Sequence, residues 1–345
     1  MRLVLIATTT LMAVSEIYSA TIPVSQLNQI VAFGDSTTDN GNAAIALGGT
    51  LPGNYAPNAF TDGPNTTPAT SGPFGLWIDQ LAPKLGLADP KPFLSGGTNF
   101  AVASSETGHN PGFSLSPFPP TVVPNTADQV AIFNLLNLNT ASANSLYAFW
   151  AGGNDILDAL QSAPASAASA GATAADNVAA NIRTLAGEGG KYFVWVNMSA
   201  LGGTPAAQTG GPVAVALANA ASVAFNTEEA AQILNLEQSL NVVIVDVDVF
   251  SLSSQIAANP GAFGFTDATH SAQGLNGVNP NQFVYWDSIH PTTAADALVA
   301  DLAFADIATP EPLSAALVLL GLGSVIAARF RFAKPRSGGS LRRDG

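Results

Sequence analysis

The 345-residue chain has no cysteine, three histidines and only 11 lysines and arginines. The first absence excludes a disulfide scaffold, a thiolate zinc site and a cysteine nucleophile. His109, His270 and His290 are too few for a histidine-rich metal centre. Charged residues make up 10% of the chain, against roughly 25% in an ordinary soluble domain. Yet 47% of residues are hydrophobic, and no central stretch stays apolar long enough to cross a bilayer. The chain is neither disordered nor a multi-span membrane protein.

Charge of one sign is scarce where most of the chain lies. From Thr21 to Thr309 only Lys84, Lys91, Arg183 and Lys191 are basic, against 21 acidic residues, a net of −17. From Pro310 onward six basic residues face two acidic ones, a net of +4. The acidic body argues against nucleic acid as a partner, because neutralising phosphates takes clustered Lys and Arg.

Residues 1–20 read as a signal peptide: Arg2, the apolar run Leu3 to Val14, then small residues. Cleavage after Ala20 and cleavage near Ala13-Val14-Ser15 both remain open. At the other end, Pro310-Glu311-Pro312 precedes an uncharged run, 313–328, and then Arg329 and Arg331. Such a run spans about 24 Å as a helix, slightly short of a hydrocarbon core of about 30 Å, and crosses with snorkelling flanks. The basic cluster behind it would stay in the cytoplasm, leaving the body on the far side. The segment 310–345 resembles the PEP-CTERM sorting signal. That resemblance implies transient membrane anchoring, processing by an exosortase-type transpeptidase, and delivery to the surface of a Gram-negative cell. A permanent tail anchor is the alternative.

The body, 21–309, shows no repeat and no linker that would divide it. Gly49 to Pro73 and Asn110 to Asn125 read as long surface loops. Apolar runs at Gln29–Phe33, Thr98–Val102, Leu146–Trp150, Lys191–Asn197 and Asn241–Val247 have the length of strands. Between the later ones lie alanine-rich helical stretches, Ser166–Leu185 and Pro212–Ser239, with a last helix over Thr292–Ile307. Short apolar strands alternating with helices predict one α/β domain whose parallel sheet is covered on both faces.

Ligands of such a sheet gather outside the strand carboxyl ends, so the residues there carry the functional reading. Gly34-Asp35-Ser36 directly follows the first strand, where a serine exposes its hydroxyl and offers its N–H to an anion at a helix start. Capping that helix is the other role for Ser36. Asn99-Phe100-Ala101 ends in Ala103-Ser104-Ser105, and Gly152-Gly153-Asn154-Asp155 follows a third strand. Asn154 there also suits the N-cap of a helix over 155–160. Finally, Asp287-Ser288-Ile289-His290-Pro291 stands directly before the last helix. An Asp three residues ahead of a His orients the imidazole through Nδ1–H and leaves Nε2 to take a proton from a hydroxyl. Asp267-Ala268-Thr269-His270 has the same spacing but reads as part of a Gly/Asn-rich loop without the proline or the helix. His109 reads as a solvated loop residue.

These four pieces, in this order, resemble the SGNH (GDSL-type) hydrolases, with Gly34-Asp35-Ser36, Asp39 and Asn42 matching the first block. The resemblance implies a three-layer α/β/α, flavodoxin-like domain that hydrolyses acyl esters without metal or organic cofactor. It implies Ser36 as nucleophile, His290 as general base and Asp287 as its partner. It further implies an oxyanion hole made by the N–H of Ser36, the N–H of Ser104 and the side-chain amide of Asn154. Ser104 stands where the family has glycine, so its N–H fits the role only if the backbone there does not need φ > 0. The implied function is an exported serine esterase or lipase acting on a small-molecule, lipid or glycan ester. Acyl transfer and polysaccharide deacetylation share the same chemistry, and a non-catalytic surface protein on this scaffold is the alternative from another class. Gly187 to Tyr192 lacks the Ser/Thr and the spacing of a phosphate-binding loop.

Overall fold

Alternate residues along each central strand point into two different cores. Val31 and Phe33, Tyr147 and Phe149, Phe193 and Trp195 enter one cluster, while Ile30 and Ala32, Leu146 and Ala148, Val194 and Val196 enter the other. This is the period-two geometry of a strand covered on both faces, and it explains why these strands read as unbroken apolar runs. The strands are β1 (Gln29–Gly34), β2 (Ser145–Trp150), β3 (Tyr192–Val196) and β4 (Val243–Val247), all parallel and in the spatial order β1-β2-β3-β4. The computed structural model describes residues 22–53, 55, 58–62, 74–115 and 122–308. The expected signal peptide and the sorting segment with its helix 313–328 lie outside the described residues. Among the described residues no helix is long and apolar enough to cross a membrane.

The helices are α1 (Asn42–Ala46), α2 (Trp77–Lys84), α3 (Thr126–Leu136), α4 (Gly153–Ser162), α5 (Ala167–Gly187), α6 (Pro205–Thr209), α7 (Gly211–Ser239), α8 (Val249–Ala258) and α9 (Thr293–Ala308). Helices α3, α4, α5 and α7 bury apolar residues in the first core, whereas α2, α9 and Val249 of α8 pack in the second. The result is a three-layer α/β/α domain around a parallel sheet.

The expected strand over 98–102 is reduced to a partial pairing. Phe100 N donates to Ala32 O at 2.7 Å, Ala32 N to Thr98 O at 3.0 Å, and only the bridge Ala32–Asn99 forms against β1. Beyond it Asn99 turns its side chain onto Thr38 O and the backbone N–H of Ala101, and one further backbone bond, Val102 N to Gly34 O at 3.2 Å, reaches β1. Counted as the second strand, this segment gives the flavodoxin-like order 2-1-3-4-5. The reversal lies beside β1, which places the ligand site past the ends of β1 and β2.

A second, small parallel sheet, β5 (Asp267–Ser271) with β6 (Phe283–Tyr285), leads into α9. The pair Asp267–His270 therefore sits on a strand, not in a loop.

Glu229 of α7 is buried, and neither of its carboxylate oxygens has a hydrogen-bond partner. Burial, then the nearby charges of Asp246 and Asp248, push its pKa well above the ordinary range. The folded protein thus keeps a proton that the unfolded chain releases near pH 4.3. The associated stability is complete below that pH and is lost as pH rises toward the folded-state value. Urea denaturation midpoints are expected to be lower at pH 8 than at pH 5, with Glu229→Gln narrowing the gap. An unchanged gap in the variant would assign the pH dependence to other carboxyls.

Candidate active site

Gly34 closes β1 with φ +151°, and a Cβ there would lie 2.2 Å from Trp150 O, so only glycine lets β1 and β2 approach at their carboxyl ends. Gln129 of α3 clamps the same residue, accepting from Gly34 N at 2.9 Å and donating to Gly34 O at 2.8 Å. The chain then turns sharply. Asp35 accepts from the N–H and hydroxyl of Thr37, and Thr38 N and Asp39 N donate to Asp35 O. Burial raises the Asp35 pKa. Ser36 occupies this turn; the next helix, α1, begins only at Asn42, so Ser36 is not a helix cap.

Asp39 and Asn42 direct their polar atoms inward. Asp39 accepts from the backbone N–H of Gly41, Asn42, Ala43 and Ala103, and Asn42 donates to Asn99 O and Ala101 O. They tie the turn after Ser36 to the segment ending in Ser104. At Ser104 φ is +67°, the left-handed conformation that glycine favours. Its side chain is exposed, and it does not line the cleft beside Ser36. The backbone therefore takes up the shape expected of a glycine position, at the cost of strain.

After β2, Gly152 turns with φ +112°, where a Cβ would meet Phe225 at 2.5 Å. Gly152 is the N-cap of α4, and Asn154 lies inside its first turn instead of capping it. This frees the Asn154 amide, which donates one of its two hydrogens to Ser105 O at 2.8 Å, and Asn154 lines the cleft together with Ser36. Asp155 holds the same segment, accepting from the N–H of Thr107 at 3.0 Å and its hydroxyl at 2.7 Å. Burial pushes Asp155 up to about 6.

From the other side comes the turn 286–290, closed by Trp286 N to His290 O at 2.9 Å. Asp287 Oδ1 accepts from Ile289 N at 2.8 Å and His290 N at 2.7 Å, the local bonding that Asp favours in turns. Its Oδ2 lies 2.6 Å from His290 Nδ1, and His290 Nε2 lies 2.8 Å from Ser36 Oγ. All three side chains are buried. Burial alone would raise the Asp287 pKa, but the hydrogen bond and charge of His290, its backbone N–H and the Tyr55 hydroxyl hold it well below the carboxylate range.

Asp267 and His270 make the same local bonds, with Nδ1 2.9 Å from Oδ2, but the His270 side chain is 76% exposed and lines no part of the cleft. His109 is exposed too, yet its Nδ1 is hydrogen-bonded to Asp128, the residue that also accepts from Asn125 N at the start of α3. Among the described residues no group of three His, Asp or Glu side chains could hold a metal ion.

The cleft runs from Ser36, Asn154 and His290 between α8 and α9, and its far walls are apolar: Leu252, Ile256, Val284 and Val299 among them. Three residues at the site were invisible in the sequence: Gln129, Tyr55 and Phe60. Tyr55 donates to Asp287 Oδ2 at 2.6 Å, and the Phe60 ring stacks on His290 at 5.1 Å. No spacing rule connects them to the motifs.

The GDSL-like Lipase/Acylhydrolase family model matches residues 30–303. The uncharacterized protein of the trpE-trpG intergenic region of Pseudomonas putida is 29% identical over 329 residues, covering 88% of this chain. This chain spans 52% of the length of that relative. The Arabidopsis thaliana GDSL esterase/lipase At1g71691 is 26% identical over 317 residues, 80% of this chain and 81% of the relative. Among solved structures, the native M. smegmatis aryl esterase aligns with a TM-score of 0.41 at 15% identity, over 82% of this chain and 99% of that one.

Proposed function

Because the chain belongs to the GDSL-like lipase/acylhydrolase family, we propose that it is an exported serine esterase that hydrolyses carboxylic acyl esters through an acyl-enzyme on Ser36. The observation that carries this reading is the continuous line from Asp287 Oδ2 through the His290 imidazole to Ser36 Oγ, at 2.6 and 2.8 Å, opening onto an apolar cleft. His290 Nε2 takes the Ser36 proton as Oγ attacks the ester carbonyl, and Asp287 stabilises the imidazolium that forms. The N–H of Ser36 and the side-chain amide of Asn154 serve the developing oxyanion, each donor contributing about 3 kcal/mol; Ser104, held at φ +67° and outside the lining of the cleft, fails the condition for a third donor. Collapse expels the alcohol with the proton from His290. Water, deprotonated by the same Nε2, then attacks the acyl-Ser36 carbonyl, and the acid leaves as the proton returns to Oγ.

The apolar walls of the cleft favour an acyl chain longer than acetyl. Burying a methylene is worth about 0.8 kcal/mol, so kcat/KM is expected to rise about threefold to fourfold per added methylene from acetyl through hexanoyl nitrophenyl esters. A panel of these esters together with acetylated glycans tests both the activity and the substrate. Equal rates for acetyl and hexanoyl esters, or cleavage of acetyl glycans alone, would replace the fatty-acyl reading by deacetylation. No turnover, and no adduct on Ser36 from an organophosphonate, would leave a non-catalytic scaffold. Residues 1–20 and 310–345 supply export and sorting, with an exosortase-type enzyme as processing partner, which the mass of the surface or secreted form tests.

A further inference from the structure

We infer that Tyr55 is a positioning residue for the Asp287–His290 pair and that, with Phe60, it forms an aromatic clamp over the imidazole; the inference rests on the esterase reading of this site. Asp287 Oδ2 meets two donors, His290 Nδ1 at 2.6 Å and the Tyr55 hydroxyl at 2.6 Å. Burial and the adjacent Asp287 push the Tyr55 pKa well above its ordinary value, so the phenol keeps its proton and remains a donor.

The Tyr55 bond adds a tether to the carboxylate. Rotation about the terminal torsion of an Asp side chain is soft, and the two backbone bonds to Oδ1 restrain it from one side. The Tyr55 bond at Oδ2 restrains the same torsion from the other side, and Oδ2 lies 2.6 Å from Nδ1 here against 2.9 Å in the Asp267–His270 pair. Asp267 and His270 serve as an internal control: they have the same bonds to Oδ1 and Oδ2, no aromatic ring is packed on His270 among the described residues, and the imidazole is 76% exposed.

The rings do the rest. Phe60 stacks on His290 at 5.1 Å and 28°, Tyr55 meets it edge-on at 6.2 Å and 90°, and the two aromatic rings touch at 4.9 Å. Their segment is fastened to the start of α9, next to His290. Thr61 Oγ1 lies 3.0 Å from Thr293 Oγ1, and Asp62 Oδ1 accepts from Thr293 N at 2.8 Å. The clamp and the base are thereby anchored to the same helix end.

The test is Tyr55→Phe in the full chain, which keeps the ring and removes the donor. Loss of a hydrogen bond to a charged group is expected to lower kcat by about tenfold, with KM within about twofold of wild type because Tyr55 does not line the cleft. The strongly downfield proton resonance of His290 Nδ1–H, read without substrate and identified by its loss in His290→Ala, is expected to shift and to broaden by exchange with water. A 3-fluorotyrosine at position 55, which retains the hydroxyl, is expected to restore both kcat and the resonance. Wild-type kcat and an unmoved resonance in Tyr55→Phe overturn the inference, as does a fluorotyrosine variant no better than phenylalanine. If the wild-type chain cleaves no ester, the esterase reading fails, while the resonance still decides whether Tyr55 positions the pair.

Discussion

Ser36→Ala is expected to lower kcat for acyl-ester hydrolysis by about a millionfold, the scale on which serine triads fail when the nucleophile is removed. The chain has no cysteine to substitute for the lost hydroxyl. Thr37 and Thr38, the neighbouring hydroxyls, are already committed, the first to Asp35 Oδ1 and the second as acceptor from Trp77 Nε1. Fold effects are expected to be small, because the one side-chain bond lost is that to His290 Nε2, worth about 1 kcal/mol. The denaturation midpoint should therefore barely move while activity disappears. His270→Ala provides the matching control: with its imidazole largely in solvent, kcat is expected to stay within about twofold, in line with ordinary surface substitutions. A Ser36→Ala variant that keeps a tenth of wild-type kcat, or a His270→Ala variant that loses it, would move the chemistry elsewhere in the molecule.

Those two histidines also mark the limit of what local sequence can say. Asp-x-x-His makes the same local hydrogen bonds at 267–270, on strand β5, and at 287–290, in a turn, down to the acceptance of the His N–H by Asp Oδ1 at 2.9 and 2.7 Å. What separates the pairs is a contact across 254 residues, His290 Nε2 to Ser36 Oγ, and no three-residue spacing encodes it. The central strands were legible for the opposite reason: each is buried on both faces, so continuous apolar runs announce them. Strand β5, Asp-Ala-Thr-His-Ser, pairs through its backbone while leaving polar side chains in solvent, so neither alternation nor an apolar run betrays it. The segment at 98–102 reads as a strand because it is apolar and buried, although side-chain bonds from Asn42 and Asn99 hold its backbone carbonyls and N–H groups in place of a full ladder. Tyr55 and Gln129 act over separations of 232 and 95 residues and belong to no motif, so only the folded chain brings them to the site. Ser104 is intermediate: the departure from glycine was visible, but its φ of +67° was not.

Asp287→Asn is expected to lower kcat by about 10⁴-fold near neutral pH, through the tautomer of His290 and not through loss of a charge alone. The carboxylate accepts four hydrogen bonds: Ile289 N and His290 N at Oδ1, His290 Nδ1 and the Tyr55 hydroxyl at Oδ2. An amide offers only one acceptor oxygen. If that oxygen replaced Oδ2, the NH₂ group would confront two backbone N–H groups that cannot turn away. Placing it at Oδ1 preserves the turn and directs the NH₂ group at His290, which escapes the clash by moving its proton from Nδ1 to Nε2. The nitrogen facing Ser36 then carries a hydrogen and cannot accept another, so the base is lost although every heavy atom stays close to its place. Burial and packing of the turn change little, and the thermal midpoint is expected to fall by only a few degrees, the response to about 1 kcal/mol. Organophosphonate labelling separates this variant from Ser36→Ala: Asp287→Asn retains its hydroxyl and should be labelled slowly, whereas the alanine variant should take up no label at all. Activity within about tenfold of wild type would mean that His290 holds its productive tautomer without the carboxylate, with the clamp of Tyr55 and Phe60 sufficient to orient the ring.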